Sequence, residues 1–161
     1  MNYMILLMLY VATSFSAVEA SHHENIEEHT AKVTVWQEVV SGKVRYHYSV
    51  FNEAENVSIT SLKVGYDYFH GIPLLKTHPE NIYAPPGWEG KIVRTEETLD
   101  IEVEWRRSDR SYSIQPGQER GGFVVELAVP DNLYRNTFFT VYFGDSTIAS
   151  TRITPIAGSV K

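Results

Sequence analysis

Asp100, Glu102 and Glu104 alternate along Leu99-Asp100-Ile101-Glu102-Val103-Glu104-Trp105, three carboxylates on one face of a strand. On an extended strand, residues two apart lie about 6.6–6.8 Å from one another, within the range spanned by glycosidase carboxyl pairs. That reaction needs one carboxyl on each side of a bound sugar, whereas alternate side chains of one strand point the same way. The run ends in Arg106 and Arg107, so its expected role is a solvated face that discourages edge pairing.

The histidines suggest two other chemistries. Removal of a leader after Ala20 would leave Ser21-His22-His23 at the amino terminus. A free amine with histidine in third position can hold Cu(II) or Ni(II) in a square plane, which makes His23 the candidate metal ligand. The alternative is a solvated tail that happens to contain histidines. Hydrolysis by a serine–histidine–acid set would draw on His47, His70 or His78, whose partners need not be close in sequence. The local signatures of such chemistry are missing: there is no serine elbow, phosphate-cradling glycine loop or metalloprotease helix motif. Asp131-Asn132 and Asp145-Ser146 lack the spacing of a dedicated calcium loop and read as turns. No cofactor is called for.

Aromatic side chains are the remaining candidates, with three Trp and ten Tyr in the chain. Tyr83 and Trp88 frame a proline-rich stretch, and Trp36 lies out of phase with Val33 and Val35. Rings held near a loop can stack on a sugar face or grip a partner chain, so Tyr83, Trp88 and Trp36 form the candidate ligand-binding set. For Trp88 the competing expectation is a cap over the open end of the fold. Trp105 ends an inward-phased strand and is expected in the core.

These residues must be positioned by β structure. Lys32 to Val40, Val44 to Val50, and Leu99 to Trp105 alternate apolar and polar residues with period two. Ser41-Gly42-Lys43 joins the first two as a hairpin. Between Val57 and Tyr68 the phase changes near Ser61, which calls for a bulge or a crossing between sheets. Phe69 to Gly87, punctuated by Gly71, Pro73, Pro79, Pro85 and Pro86, reads as a long irregular connection folded back over the domain. Strands follow at Gly90–Arg94, Gly121–Val129 and Thr137–Phe143, with an edge strand in Thr147–Thr154. Tyr134 is placed to hydrogen-bond back across a corner. Seven or eight strands with no helical period predict an all-β, antiparallel sandwich of the immunoglobulin or fibronectin kind; a closed barrel is the rival.

Residues 1–20 read as a signal peptide, with an apolar core from Met4 to Ala12 and small residues before a cut after Ala20. Thr13 to Ser16 interrupts the apolar run well short of the roughly 20 residues a membrane-spanning helix needs. The expected organisation is a polar lead-in at 21–31, a sandwich domain at 32–156 and a tail at 157–161. The carboxy terminus has no apolar anchor signal. With no cysteine in the chain, disulfides and thiolate chemistry are excluded, and the exported domain must hold together by packing alone. The net charge of −6 becomes −5 once Glu19 leaves with the leader, which disfavours nucleic acid and anionic membranes as partners. Asn56-Val57-Ser58 is a glycosylation sequon, relevant only in a host that glycosylates.

The order Pro85-Pro86-Gly87-Trp88-x-Gly90, then a strand ending in Trp105, then Ile114-x-Pro116-Gly117, then Gly122-Phe123, resembles small exported bacterial immunoglobulin-like domains of unassigned function. The resemblance covers the middle of the chain, implies a fold and a compartment, and carries over no catalytic residue. The resulting expectation is an exported, soluble, non-enzymatic β-sandwich, periplasmic or extracellular, that binds an unknown protein or glycan. A carbohydrate-binding module using Tyr83, Trp88 and Trp36 is the second reading, and a hydrolase with dispersed catalytic residues the third.

Overall fold

The computed structural model describes residues 29–96 and 99–157; the expected signal peptide at 1–20 and the candidate metal ligand His23 lie outside them. In chain order the strands are β1 Ala31–Val40, β2 Lys43–Asn52, β3 Ile59–Val64, β4 Tyr66–Asp67, β5 Ile72–Pro73, β6 Asn81–Tyr83, β7 Trp88–Arg94, β8 Ile101–Arg107, β9 Glu119–Leu127, β10 Phe138–Phe143, β11 Ile148–Arg152 and β12 Thr154–Pro155. Among the described residues, eight of these are five residues or longer and build the sandwich. The first sheet has the order β12-β1-β2-β9-β6, and the second β11-β10-β3-β8-β7. The short β4–β5 hairpin stands apart from both. Pairing is antiparallel except where β12 runs parallel to β1.

Alternation decides which side chains enter. Val33, Val35, Val44, Tyr46, Tyr48 and Val50 fill the inner face of the β1–β2 hairpin. Ser41 and Gly42 both have positive φ, at 53° and 79°. That is the backbone of a two-residue turn whose twist matches the strands it joins. Ile101, Val103 and Trp105 enter from β8. Trp105, fully buried, meets Phe123 at 5.6 Å and Tyr48 at 5.9 Å between ring centroids, so rings from the two sheets interdigitate.

The bulge anticipated near Ser61 is present. Tyr142 faces Ser61 and Phe143 faces Ile59, which leaves Thr60 as the extra residue on β3. The connection after β5 contains more structure than its prolines suggest. Its Leu75 is fully buried against Ile101, and β6 adds to the edge of the first sheet beside β9. Tyr134 does hydrogen-bond across a corner, but its target is the Thr77 carbonyl in that connection, at 2.6 Å. The phenol thereby holds the long segment onto the sandwich.

The carboxylates of β8, and Asp100 just before it, depart from expectation. Asp100, Glu102 and Glu104 point outward as their phase requires, yet they are buried, Glu104 to 2% exposure. Their covering comes from neighbouring strands. One row across the second sheet reads Lys91, Glu104, Lys63, Thr140, Ser150. Lys91 Nζ lies 2.8 Å from Glu104, Lys63 Nζ lies 2.9 Å from Glu102, and Lys76 reaches Asp100. Lys63 also sits 4.9 Å from the centre of the Tyr66 ring. Burial pushes the Glu104 carboxyl upward, but the hydrogen bonds from Lys91 and Arg106 outweigh it and hold the carboxyl below its usual range. A solvated row has thus become a neutralised, largely dry one.

Candidate functional site

Two of the three aromatic candidates come together on the outer face of the first sheet. Register places Trp36 opposite His47, His47 opposite Val124, and Val124 opposite Tyr83. One line of side chains therefore crosses β1, β2, β9 and β6. Trp36 and His47 stack with centroids 3.9 Å apart and planes 3° from parallel, and His47 Nε2 lies 2.9 Å from Glu38 Oε1. The imidazole is therefore half-buried and held on two sides. Tyr83 is 44% exposed, with the Arg45 guanidinium 5.7 Å from its ring centre.

Val124 is the small member of the line. Between the His47 ring and the Tyr83 ring it leaves a slot of about 190 Å³, with Arg45 alongside. Adjacent strands lie about 4.8 Å apart, so regular spacing sets the β2 and β6 backbones that carry His47 and Tyr83 about 9.6 Å apart. The Arg45 guanidinium lies over the Tyr83 ring within this space, so the slot combines aromatic, apolar and cationic lining.

The neighbouring row makes this face rigid. Glu38, Arg45, Glu126 and Asn81 pair across the same four strands. Glu126, 3% exposed, takes Asn81 at 2.8 Å, Arg45 at 2.7 Å and Lys43 at 3.3 Å. The Asn81, Arg45 and Lys43 hydrogen bonds lower its carboxyl to about 2. The Arg45 head is thereby fixed beside the slot.

Trp88 does not belong to this surface. It is 5% exposed, meets Phe123 edge to face at 5.1 Å and donates from Nε1 to the Tyr112 carbonyl at 3.0 Å. Its ring closes one end of the core, the cap arrangement. Gly87 before it has φ +79°, and an added Cβ would lie 2.0 Å from the Tyr112 ring, so the loop can turn there only with glycine. Trp36 is thus the one partly exposed tryptophan.

A second concavity opens on the outer face of the second sheet. It is a cleft of about 720 Å³ between the loop that follows β8 and the turn that joins β10 to β11. The Thr60 bulge forms its floor, and Arg106, Arg107 and Arg110 stand along it. In the sequence this place is marked only by the phase break near Ser61 and by the Arg106-Arg107 pair that ends the carboxylate run.

The histidines are engaged locally. His70 Nδ1 lies 2.7 Å from Asp67, His29 Nε2 lies 3.0 Å from Asp145, and His78 Nδ1 lies 2.7 Å from the Pro79 carbonyl. Among the described residues none of these histidines, nor His47, hydrogen-bonds a serine or threonine hydroxyl. No group of three or more metal-binding side chains occurs among the described residues either. No helix there is long and apolar enough to cross a membrane.

No protein-family model matches the sequence, and no curated protein matches it. Among solved structures, the chain is similar to an uncharacterized protein from Nocardia farcinica described as immunoglobulin-like. That likeness has 19% identity, 81% coverage of this chain, 90% of the other and a TM-score of 0.55. A GH20 exo-β-N-acetylglucosaminidase from Vibrio harveyi aligns at 8% identity and a TM-score of 0.44, over 80% of this chain and only 18% of the enzyme. Sheet order, antiparallel register and the Nocardia likeness together make this an immunoglobulin-like β-sandwich.

Proposed function

We propose that the chain is an exported, non-catalytic binding module, and that it holds its ligand on the outer face of the first sheet. The observation that carries this is the line of Trp36, His47, Val124 and Tyr83, with its slot of about 190 Å³ and the fixed Arg45 over the Tyr83 ring. A preformed slot with two ring walls, an apolar floor and one charged donor suits a sugar ring: the walls take the ring's apolar faces, and the guanidinium takes a hydroxyl or carbonyl oxygen. A glycan is accordingly the ligand class this geometry favours. Export rests on the apolar leader and its small-residue cut.

Tryptophan emission tests this directly, because Trp88 and Trp105 are buried and Trp36 is partly exposed. Titration with soluble oligosaccharides should give a saturable change with at least one sugar. Tyr83→Ala should weaken that response about tenfold or more, in line with the cost of losing a base–ring or ring–ring stack. Silence across the panel would remove the glycan and leave a protein partner. A response of unchanged affinity in Tyr83→Ala would remove the slot.

A further inference from the structure

The arginine cleft lies on the opposite sheet, and its chemistry differs from that of the slot. In a chain of net charge −6, three arginines gather within five residues of sequence and line one concavity. The nearby carboxylates offset them only in part: Glu104 pairs with Arg106, and Asp109 lies close enough to Arg107 and Arg110 to be stabilised by their charge without an ion pair to either. Glu104 faces Arg106 from beneath and is shared with Lys91. Asp109 turns back to accept from the Ser111 amide and hydroxyl, both at 2.9 Å, which caps the short 3-10 turn Arg110–Tyr112. Among the described residues neither Arg107 nor Arg110 forms an ion pair. Their guanidinium groups keep their donors for a ligand.

The rest of the lining is hydroxyl and ring. Thr60 and Ser61 rise from the bulge, Ser108 and Ser146 stand on the two walls, and the partly exposed Tyr142 offers its ring. Ser146 holds φ +74°, a left-handed conformation that is costly for a residue with a Cβ. Bulges favour the neighbourhood of binding sites because they re-aim side chains. At about 720 Å³ the space is far larger than an inorganic ion needs and falls within the range of small-ligand pockets.

We infer that this cleft binds an acidic saccharide, with Arg107 and Arg110 receiving its carboxylate or sulfate and the serine and threonine hydroxyls receiving its hydroxyl groups. Guanidinium matches a planar carboxylate or a sulfate edge in bidentate fashion, and the Thr60 and Ser108 hydroxyls, whose protons go to the Tyr142 and Gly87 carbonyls, keep lone pairs that accept from sugar hydroxyls. An acidic peptide supplies the same anion without the hydroxyls. This inference is independent of the slot on the first sheet.

Isothermal titration of the full chain tests it with four probes: a trigalacturonate, a sulfated heparin disaccharide, neutral maltotriose and sodium sulfate. At least one acidic saccharide should bind, at least tenfold tighter than maltotriose or sulfate, and its affinity should fall as salt is raised. Arg107→Ala and Arg110→Ala should each weaken it about tenfold or more, and Arg107→Lys should restore only part. Tyr83→Ala should leave it unchanged, which separates failure here from failure of the slot. Arg110 is exposed, so its variant folds normally and remains informative should Arg107→Ala lower stability. Equal binding of maltotriose, equal binding of sulfate (an adventitious ion only), no binding of either acidic saccharide, or indifference to both arginine variants would each overturn the inference.

Discussion

Replacing Trp88 with alanine separates a core residue from a contact residue more sharply than any other single change. The side chain is 95% buried, packs edge to face on Phe123 at 5.1 Å and spends its one donor on the Tyr112 carbonyl. Large-to-small changes of this kind in a core cost about 3–5 kcal/mol. Part of that is lost burial, part is the cavity, and part is a carbonyl deprived of its donor. For a domain of this size each kcal/mol moves the thermal midpoint by roughly 3–5 °C, so Trp88→Ala should melt about 10–20 °C below the parent. Urea unfolding followed by far-ultraviolet circular dichroism avoids the loss of a fluorophore. With a slope of roughly 2 kcal/mol/M, the midpoint should drop by about 1.5–2.5 M. Trp88→Phe keeps most of the packing and loses the hydrogen bond, and should cost only about 1–2 kcal/mol. A Trp88→Ala midpoint within about 0.25 M of the parent would refute the reasoning: the ring would then lie outside the core and return to the set of contact aromatics.

Further outcomes follow from the same structure. Gly87→Ala must place a Cβ 2.0 Å from the Tyr112 ring at φ +79°, so it should destabilise by about 2 kcal/mol or more in the same urea assay. Tyr134→Phe strands the Thr77 carbonyl and should cost about 1–3 kcal/mol; faster proteolysis between Phe69 and Gly87 would report the loosened connection. The Glu126 and Asp145 carboxyls are held at about 2 in the folded chain, below their ordinary values of 4.5 and 3.8. Groups whose folded pKa is depressed contribute stability above their unfolded pKa and lose it as pH falls through the folded value. The thermal midpoint should therefore be level above about pH 5.5 and fall steadily between about pH 4.5 and 2. Glu126→Gln should be less stable at neutral pH and show a shallower acid limb.

Period-two alternation is sufficient to read the main strands, the outward phase of Asp100, Glu102 and Glu104, the phase break near Ser61, which is a bulge rather than a crossing between sheets, and the inward position of Trp105. These depend on neighbours within one strand or turn, which a sequence displays directly. What stayed hidden depends on register between strands far apart in sequence. The carboxylates of β8 look solvated until Lys63 of β3 and Lys91 of β7 are brought beside Glu104. Trp36 and Tyr83 are 47 positions apart, and only the pairings through His47 and Val124 put them in one line. Strand β6 is three residues long and bracketed by prolines, too short for a periodic signal. The arginine cleft required both the bulge and the turn after β10, two features whose meeting no local pattern encodes. Trp88, grouped with Tyr83 by proximity in sequence, was separated from it because β6 and β7 belong to opposite sheets.

The measurement that bears most directly on the slot is nitrogen-15 correlation NMR of the full chain during titration with the oligosaccharide panel. Its readouts are the Trp36 and Trp88 indole signals and the backbone amides of His47, Val124 and Tyr83. Saturable shifts at Trp36 and those three amides, with the Trp88 indole unmoved, are the expected result. Shifts centred on Trp88, or spread over the β4–β5 hairpin and away from the first sheet, would contradict it.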